Sequence, residues 1–148
     1  MDKQHLTLQD IVIGDYVQEW SEIPGQFSMP MYVDGIFADG DLYLNFDDNE
    51  ADPWETNVKD VYDIPIDFGV LTHFGFFESD HHVWTLKVDE WQLTVRVFKP
   101  LRTFIVNAIL SNTVTGKVAL SKLSLDSIRK VQHWFYDETE KVLKLNFE

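Results

Sequence analysis

The chain of 148 residues contains no cysteine, which excludes disulfide bonds, thiolate metal sites and cysteine nucleophiles. Glycine and proline are also few, at seven and five residues, so the composition is not that of a disordered or low-complexity segment. Hydrophobic residues make up 45% and aromatic residues 14% of the chain, which is enough to build a packed interior. This length and composition indicate one domain, or two small lobes.

Long apolar runs are missing as well. No segment approaches the roughly 18 apolar residues that a membrane-spanning helix needs, and the run from Phe104 to Leu110 is interrupted by Asn107. The first five residues carry Lys3 with no apolar run behind it, which is not the pattern of a secretory signal. The lack of cysteine fits a reducing compartment. We therefore expect a cytoplasmic protein that does not associate with a membrane.

Positive charge is scarce in the first half of the chain. Residues 1–66 contain 15 acids and only two bases, Lys3 and Lys59, whereas residues 67–148 contain ten of each. The formal net charge of -13 therefore belongs to the first half. Because no cluster of Lys and Arg is present, we expect no direct binding to nucleic acid. The acids are interpreted either as ordinary turn residues or as an acidic face that binds a basic partner.

Catalytic motifs are absent from the sequence. It has no G-x-S-x-G, no H-E-x-x-H and no P-loop, so we expect no catalytic residues, no cofactor and no enzymatic activity. The acidic segment that begins at Asp47 has Asp52 at the sixth and Val58 at the twelfth position, where a calcium-binding EF-hand loop has Gly and Glu. His81 and His82 are adjacent, and neighbours on a strand point to opposite faces. We therefore expect no metal site.

Alternating apolar and polar residues predict short strands in the first half. Gly35 marks a bulge, and Asp39-Gly40 is a strong hairpin signal because Gly accepts a positive φ. Strands this short in about 55 residues do not bury both faces of a flat sheet, so we expect them to curl into a small SH3-like β-barrel over residues 8–66. The predicted strands are residues 16–20, 31–37, 42–46 and 54–58, with a closing segment at 61–64.

The second half, residues 67–148, is predicted to be an α+β lobe. A short helix begins at Asp67 and ends at Gly75, and a second helix begins at Ser124 or Asp126 and ends near Asp137. Between them an antiparallel meander is expected, and a terminal strand is expected over residues 141–147. The predicted fold class is α+β: an SH3-like β-barrel lobe followed by an antiparallel sheet with two helices. The meander strands are predicted at residues 82–88, 92–98, 104–110 and 116–120.

Three segments resemble conserved motifs of one family. Residues 13–17 are similar to its I-G-D-W-V opening, and residues 64–76 to its I-P-L-T-P-E-I-L-x-x-x-G-F stretch, with Asp-Phe-Gly in place of Thr-Pro-Glu. Residues 128–133 resemble its late I-R/K-Y-V-H-x-L-Q helix, with Gln132 where the family has His. This is a family of small uncharacterised proteins common in gut anaerobic bacteria and their prophages or mobile elements. The resemblance implies a mobile-element origin and supplies no catalytic residues.

Aromatic residues accompany the acids, and an exposed ring beside carboxylates is typical of a site for basic peptides. Among Trp20, Tyr32, Tyr43 and Trp54, we expect Trp54 to be the most exposed, while packing of a small barrel is the alternative role for this set. We therefore expect an accessory interaction protein that binds a basic protein surface. The expected partner-binding residues are Asp39, Asp41, Asp47, Asp48, Glu50, Asp52 and Trp54.

Two alternative functions remain open. The first is a DNA mimic that inhibits a nucleic-acid-binding protein, and it requires carboxylates along one face at phosphate-like spacing. The second is a metal-dependent enzyme that uses the Asp-rich loops or the histidines.

Overall fold

The computed structural model describes residues 4–46 and 52–148. The chain divides into two compact units, Met1–Ile64 and Pro65–Glu148. The fold is α+β and mostly β-sheet, with one sheet in each unit and two helices in the second. Within the described residues, neither helix has the length and apolar character that crossing a bilayer would require.

The sheet of the first unit is strongly curled into a half-barrel. Its six strands are β1 (Tyr16–Ser21), β2 (Gln26–Phe27), β3 (Met31–Ile36), β4 (Asp41–Asn45), β5 (Trp54–Asn57) and β6 (Val61–Tyr62). They follow the order β2-β1-β3-β4-β5, and β6 pairs with β1. A single turn of 3₁₀ helix, Val58–Asp60, connects β5 and β6.

Strand β1 divides its six residues among three antiparallel partners. Tyr16 and Val17 pair with β3, the next two residues pair with β6, and Trp20 and Ser21 pair with β2. This sharing lets one short strand connect both flanks of the half-barrel. The sequence did not predict β2. This strand has only two residues and lies between Pro24 and Pro30, in a stretch whose proline and glycine residues indicate a loop.

The hairpin signals of the first unit are confirmed. Gly40 has φ +96° in the turn between β3 and β4, a conformation that favours glycine. The register shifts between Val33 and Gly35, which is the predicted bulge. A Cβ at Gly35 would lie 3.2 Å from the ring of Tyr43, so glycine also makes room for that ring.

The half-barrel buries alternate residues of its strands, because successive side chains point to opposite faces. Leu6 and Ile11, which precede the first strand, join this core. The backbone N–H of Leu6 donates to the carbonyl of Val61 at 2.8 Å and fixes the leading segment against β6. The buried strand residues are Val17, Met31, Val33, Leu42, Leu44 and Val61.

The second unit contains the predicted antiparallel meander and one additional strand. Its strands are β7 (Phe77–Asp80), β8 (Val83–Val88), β9 (Trp91–Phe98), β10 (Ile105–Asn112) and β11 (Val118–Leu120), and its helices are α1 (Val70–His73) and α2 (Ile128–Thr139). The strand order in the sheet is β11-β10-β9-β8-β7. The additional strand is β7, whose Glu78, Ser79 and Asp80 are exposed and give no alternating apolar signal.

The short helix α1 stops just before Gly75 as predicted, but it begins at Val70 with Gly69 as its N-cap, so the prediction that it begins at Asp67 is wrong. An oxygen of Asp67 accepts hydrogen bonds from the backbone N–H groups of Gly69 and Val70, each at 2.9 Å. At the other end Gly75 has φ +92°, and the N–H of Phe76 returns to the carbonyl of Leu71. This arrangement satisfies main-chain groups that a helix leaves unpaired at its ends.

The helix α2 buries the predicted residues Ile128, Val131 and Phe135. The prediction that Ser124 or Asp126 caps it is wrong, because the hydroxyl of Ser127 accepts from the N–H of Lys130 at 3.3 Å. The two predicted caps have other partners: the hydroxyl of Ser124 accepts from the N–H of Val106, and Asp126 forms an ion pair with Lys130. The helix also continues two residues past Asp137, to Thr139.

The terminal strand predicted over residues 141–147 is wrong, since the structure assigns no strand to this described segment. Leu143 and Leu145 are nevertheless buried. The side-chain amide of Gln132, on α2, donates to the carbonyl of Leu143 at 3.4 Å, and the ring of Phe147 lies 5.1 Å from that of Phe74. The alternating apolar pattern therefore reflects packing beside α2 and next to α1, without a strand ladder.

Candidate partner-binding site

Trp54 lies at the beginning of β5 and is the exposed aromatic residue that the sequence predicts, with 58% of its surface accessible. Its partner across the ladder is Leu44, which is fully buried. Residues paired across an antiparallel ladder point to the same face. The indole is therefore attached to the inner face of the half-barrel and lies at its rim.

The orientation of Trp54 is set by Glu19. The indole Nε1 donates to both carboxylate oxygens, at 3.0 Å to Oε1 and 3.2 Å to Oε2. Glu19 is two residues after buried Val17 on β1, so both side chains point to the inner face. An exposed aromatic ring and a carboxylate are thus held next to each other. Sequence reasoning missed Glu19, because the two residues are 35 positions apart.

Asp39 and Asp41, here called the turn acids, lie exposed at the hairpin between β3 and β4. An oxygen of Asp39 accepts from the backbone N–H of Asp41 at 3.0 Å. The side-chain amide of Asn57 donates to Asp41 at 3.0 Å, and its oxygen accepts from the N–H of Lys59. The turn acids therefore help to build this end of the hairpin.

The β4–β5 ladder separates into two groups those predicted partner-binding residues that the structure describes. Asp41 pairs with Asn57 at one end and Leu44 pairs with Trp54 at the other, about 10 Å away at the usual rise of a strand. Exposed Asp52 lies two residues before Trp54, at the second end. The three remaining predicted acids lie outside the described residues. Together with Asp52 they are here called the loop acids: Asp47, Asp48, Glu50 and Asp52.

Several other acids of the first unit stabilise turns. Asp10 accepts from the N–H and the hydroxyl of Thr7, and Asp15 accepts from the N–H of Val12. These bonds are the local roles expected of turn residues. The charge imbalance is nevertheless large, because the described residues of this unit include 11 acids and a single base, Lys59.

The other three aromatic residues of the predicted set have packing partners. Each is in edge contact with another ring of the first unit, with ring centroids between 4.8 and 6.0 Å apart. Such pairs contribute to packing. Trp54 differs from them in exposure and in its bond to a carboxylate. The three pairs are Trp20 with Phe27, Tyr32 with Tyr16, and Tyr43 with Phe37.

The histidine pair has a different geometry from the predicted one. His81 and His82 lie in the turn between β7 and β8, and their rings stack at 3.8 Å, so the expectation that they face opposite sides is wrong. The cause is the left-handed backbone of His82, with φ +57°. The His82 ring also stacks on Phe68 at 4.0 Å. Over residues 4–46 and 52–148, no group of three or more His, Asp or Glu side chains is arranged to hold a metal ion.

Comparison with known proteins gives no relative: no family model, curated protein or solved structure matches the chain.

The three motif segments named from the sequence carry structural residues. Gly14 has φ +100° just before β1, and its N–H donates to the carbonyl of Val33 at 2.8 Å. Gly75 ends α1 in the same left-handed conformation, and Ile128 begins α2 as a fully buried residue. These positions shape turns and the core, and they lie outside the Trp54 site.

Proposed function

We propose that the first unit is an interaction module that binds a basic protein surface, with Trp54, Glu19 and the loop acids as the contact residues. The observation that carries this proposal is the hydrogen bond of the exposed Trp54 indole to Glu19, within a unit whose described residues contain 11 acids and one base. The role is that of an accessory protein without catalytic activity.

The chemistry of this site suits the side chains of Lys and Arg. A cation placed over an indole ring gains about 0.5–1 kcal/mol at an exposed site. A carboxylate beside the ring adds an ion pair, and the surplus of negative charge accelerates encounter with a basic partner at low salt. Binding of this kind weakens as salt rises, because the screening length falls to about 8 Å at physiological ionic strength.

The geometry favours the end of the hairpin that carries Trp54. The turn acids lie at the opposite end, and Asp41 there is bonded to Asn57. Asp52 is close to Trp54 along the chain, and the remaining loop acids precede it directly. In this proposal the loop acids contribute more to affinity than Asp39 and Asp41 do.

We also propose that the half-barrel is SH3-like and that the chain originates from a prophage or another mobile element. The first proposal is supported by the way β1 pairs with β3 at one end and with β6 further along. The second is supported by the resemblance of residues 13–17, 64–76 and 128–133 to the motifs of one family.

The interaction proposal is tested with a fluorescent ten-residue peptide of alternating Arg and Ser. Its affinity is measured by anisotropy at several salt concentrations for the unmodified chain and for the variant Asp47→Asn, Asp48→Asn, Asp52→Asn. We expect the variant to bind at least about fivefold more weakly at low salt, since it lacks three negative charges from the segment that precedes Trp54 in the sequence.

The matched control changes the same number of charges in the second unit, with Asp89→Asn, Glu90→Gln and Glu140→Gln. All three residues are exposed, and Asn suits the left-handed backbone that Asp89 adopts. The control is expected to retain most of the affinity. If both variants lose affinity equally, binding follows net charge alone and the proposed site is wrong.

A further inference from the structure

A groove of about 420 Å³ lies in the second unit, between α2 and the segment 120–125, which begins at the last residue of β11. The wall formed by this segment is fixed against β10. The backbone N–H of Ser121 donates to the carbonyl of Ala108, and the N–H of Ala108 donates to the hydroxyl of Ser121. In the same way, the N–H of Leu125 donates to the carbonyl of Val106, and the N–H of Val106 donates to the hydroxyl of Ser124. The groove is therefore held open by hydrogen bonds on its sheet side.

The middle of the groove is apolar. Leu123 on the segment wall is 79% exposed and Leu120 is 62% exposed, and Trp134 lines the helix wall. Leu120 pairs across the ladder with exposed Ile109, so the apolar surface continues onto the sheet. Adjacent exposed apolar side chains of this kind mark an interaction surface more often than scattered ones do.

The two ends of the groove have opposite charge. Lys130 lines it near the beginning of α2, and Asp137 and Glu138 line it towards the end of the helix. Lys130 and Asp137 are two helical turns apart, about 10.5 Å along the axis. Lys130 is paired with Asp126 at 2.8 Å, but both side chains are about half exposed. Such a surface pair contributes little, so a ligand carboxylate can replace Asp126 at small cost.

We propose that this groove binds an extended peptide segment in which an acidic, an apolar and a basic residue alternate with two spacers. In an extended chain, residues i, i+2 and i+4 point to the same side and span about 13 Å. This span is close to the distance of about 10.5 Å between Lys130 and Asp137 along the helix axis, and the flexible side chains make up the difference. The acidic residue binds at Lys130, the apolar one contacts Leu123 and Trp134, and the basic one binds at Asp137. This site is separate from the proposed function of the first unit.

The test is an NMR titration of the ¹⁵N-labelled full chain with the peptide Ac-Gly-Glu-Ser-Leu-Ser-Lys-Gly-NH₂. We expect chemical-shift changes for the amides of residues 120–125 and 130–138. A peptide with Ser in place of Leu is expected to bind at least about fivefold more weakly, because it leaves the apolar middle unfilled. A Lys-Ser-Leu-Ser-Lys peptide is likewise expected to shift the groove amides less, since one of its charges faces Lys130.

Two protein variants complete the test. Leu123→Ser removes an exposed apolar contact of the groove, and Leu101→Ser removes a side chain that is 87% exposed in the β9–β10 turn, outside the groove. Affinity is expected to fall at least about fivefold for the first and to stay unchanged for the second. Equal effects of the two variants, or chemical-shift changes outside the groove, would overturn the proposal. It would also be overturned if the groove amides shifted with protein concentration in the absence of peptide, because a second copy of the chain would then be the occupant. Failure of the Arg-Ser peptide to bind the first unit has no bearing on this result.

Discussion

Trp54 donates one indole N–H to both carboxylate oxygens of Glu19, and this bond links β5 to β1 across 35 positions of sequence. Because both side chains are accessible, water replaces the bond readily when it is removed. Trp54→Phe is therefore expected to lower the free energy of unfolding by no more than about 1 kcal/mol. The same variant is expected to weaken binding of the Arg-Ser peptide at least about threefold, since phenylalanine is a poorer cation–π partner than tryptophan.

Urea denaturation and fluorescence anisotropy provide the two measurements. Glu19→Gln is the companion variant, because glutamine retains an acceptor for the indole but removes the charge. It is expected to make peptide binding less dependent on salt. A large loss of stability in Trp54→Phe with unchanged affinity would show that the Trp54–Glu19 pair is structural only.

The turn between β3 and β4 depends on glycine. Gly40 has φ +96°, and a Cβ there would lie 3.2 Å from the amide nitrogen of Asn57. We expect Gly40→Ala to destabilise the first unit by about 1–3 kcal/mol in thermal or urea unfolding. Gly69→Ala is the control, since Gly69 has a negative φ and its nearest neighbour to a new Cβ lies 3.8 Å away. Gly69 is the N-cap of α1, where alanine is a poorer residue, so this control is expected to lose some stability but less than Gly40→Ala, and equal losses would contradict the assignment of strain to Gly40.

The start of α2 depends on one hydroxyl. Ser127 is buried and accepts from the N–H of Lys130, so Ser127→Ala is expected to cost the second unit about 1 kcal/mol. Asp126→Asn removes only the exposed ion pair with Lys130 and is expected to cost less than about 0.5 kcal/mol. Urea unfolding monitored by far-ultraviolet circular dichroism compares the two. The reverse order of effects would return the cap to Asp126.

The segment after α2 is held by apolar packing. Leu143 is fully buried and its neighbour Val142 is exposed. Leu143→Ala is expected to destabilise the second unit by about 2–4 kcal/mol, and Val142→Ala by less than about 0.5 kcal/mol. Equilibrium denaturation of both variants provides the measurement. Similar small values for the two would show that residues 141–148 do not belong to the core in solution.

Local chemistry accounts for the parts of the fold that the sequence predicts. The Asp39-Gly40 turn, the bulge at Gly35 and the stop of α1 at Gly75 each depend on a few adjacent residues with a defined backbone preference. The buried face of α2 follows from the helical spacing of Ile128, Val131 and Phe135. Signals of this kind need no knowledge of distant partners.

The features that the sequence did not predict depend on distant partners or on competition between neighbours. β7 is exposed and polar, and it is a strand because β8 pairs with it. Leu143 and Leu145 alternate with polar residues but are buried without a ladder, so their spacing alone indicated the wrong element. Ser124, Asp126 and Ser127 are all suitable caps, and the bonds that the first two form elsewhere decide among them.

In the candidate site, too, some features follow from neighbouring residues in the sequence and others depend on distant partners. Exposure of Trp54 was predictable from its position beside Pro53 and Glu55, whereas its contact with Glu19 requires the curled sheet. The separation of the turn acids from Asp52 also follows only from the register of β4 and β5.

The division of β1 among three partners has a consequence for synthesis of the protein on the ribosome. β2 and β3 emerge soon after β1, but β6 emerges only when Val61 and Tyr62 have left the exit tunnel. Until then the middle of β1 and the N–H of Leu6 have no partner from β6, and such open edges bind other chains. Any half-barrel that forms before residues 61–62 emerge therefore has an unprotected edge on β1, which only the later strand β6 covers.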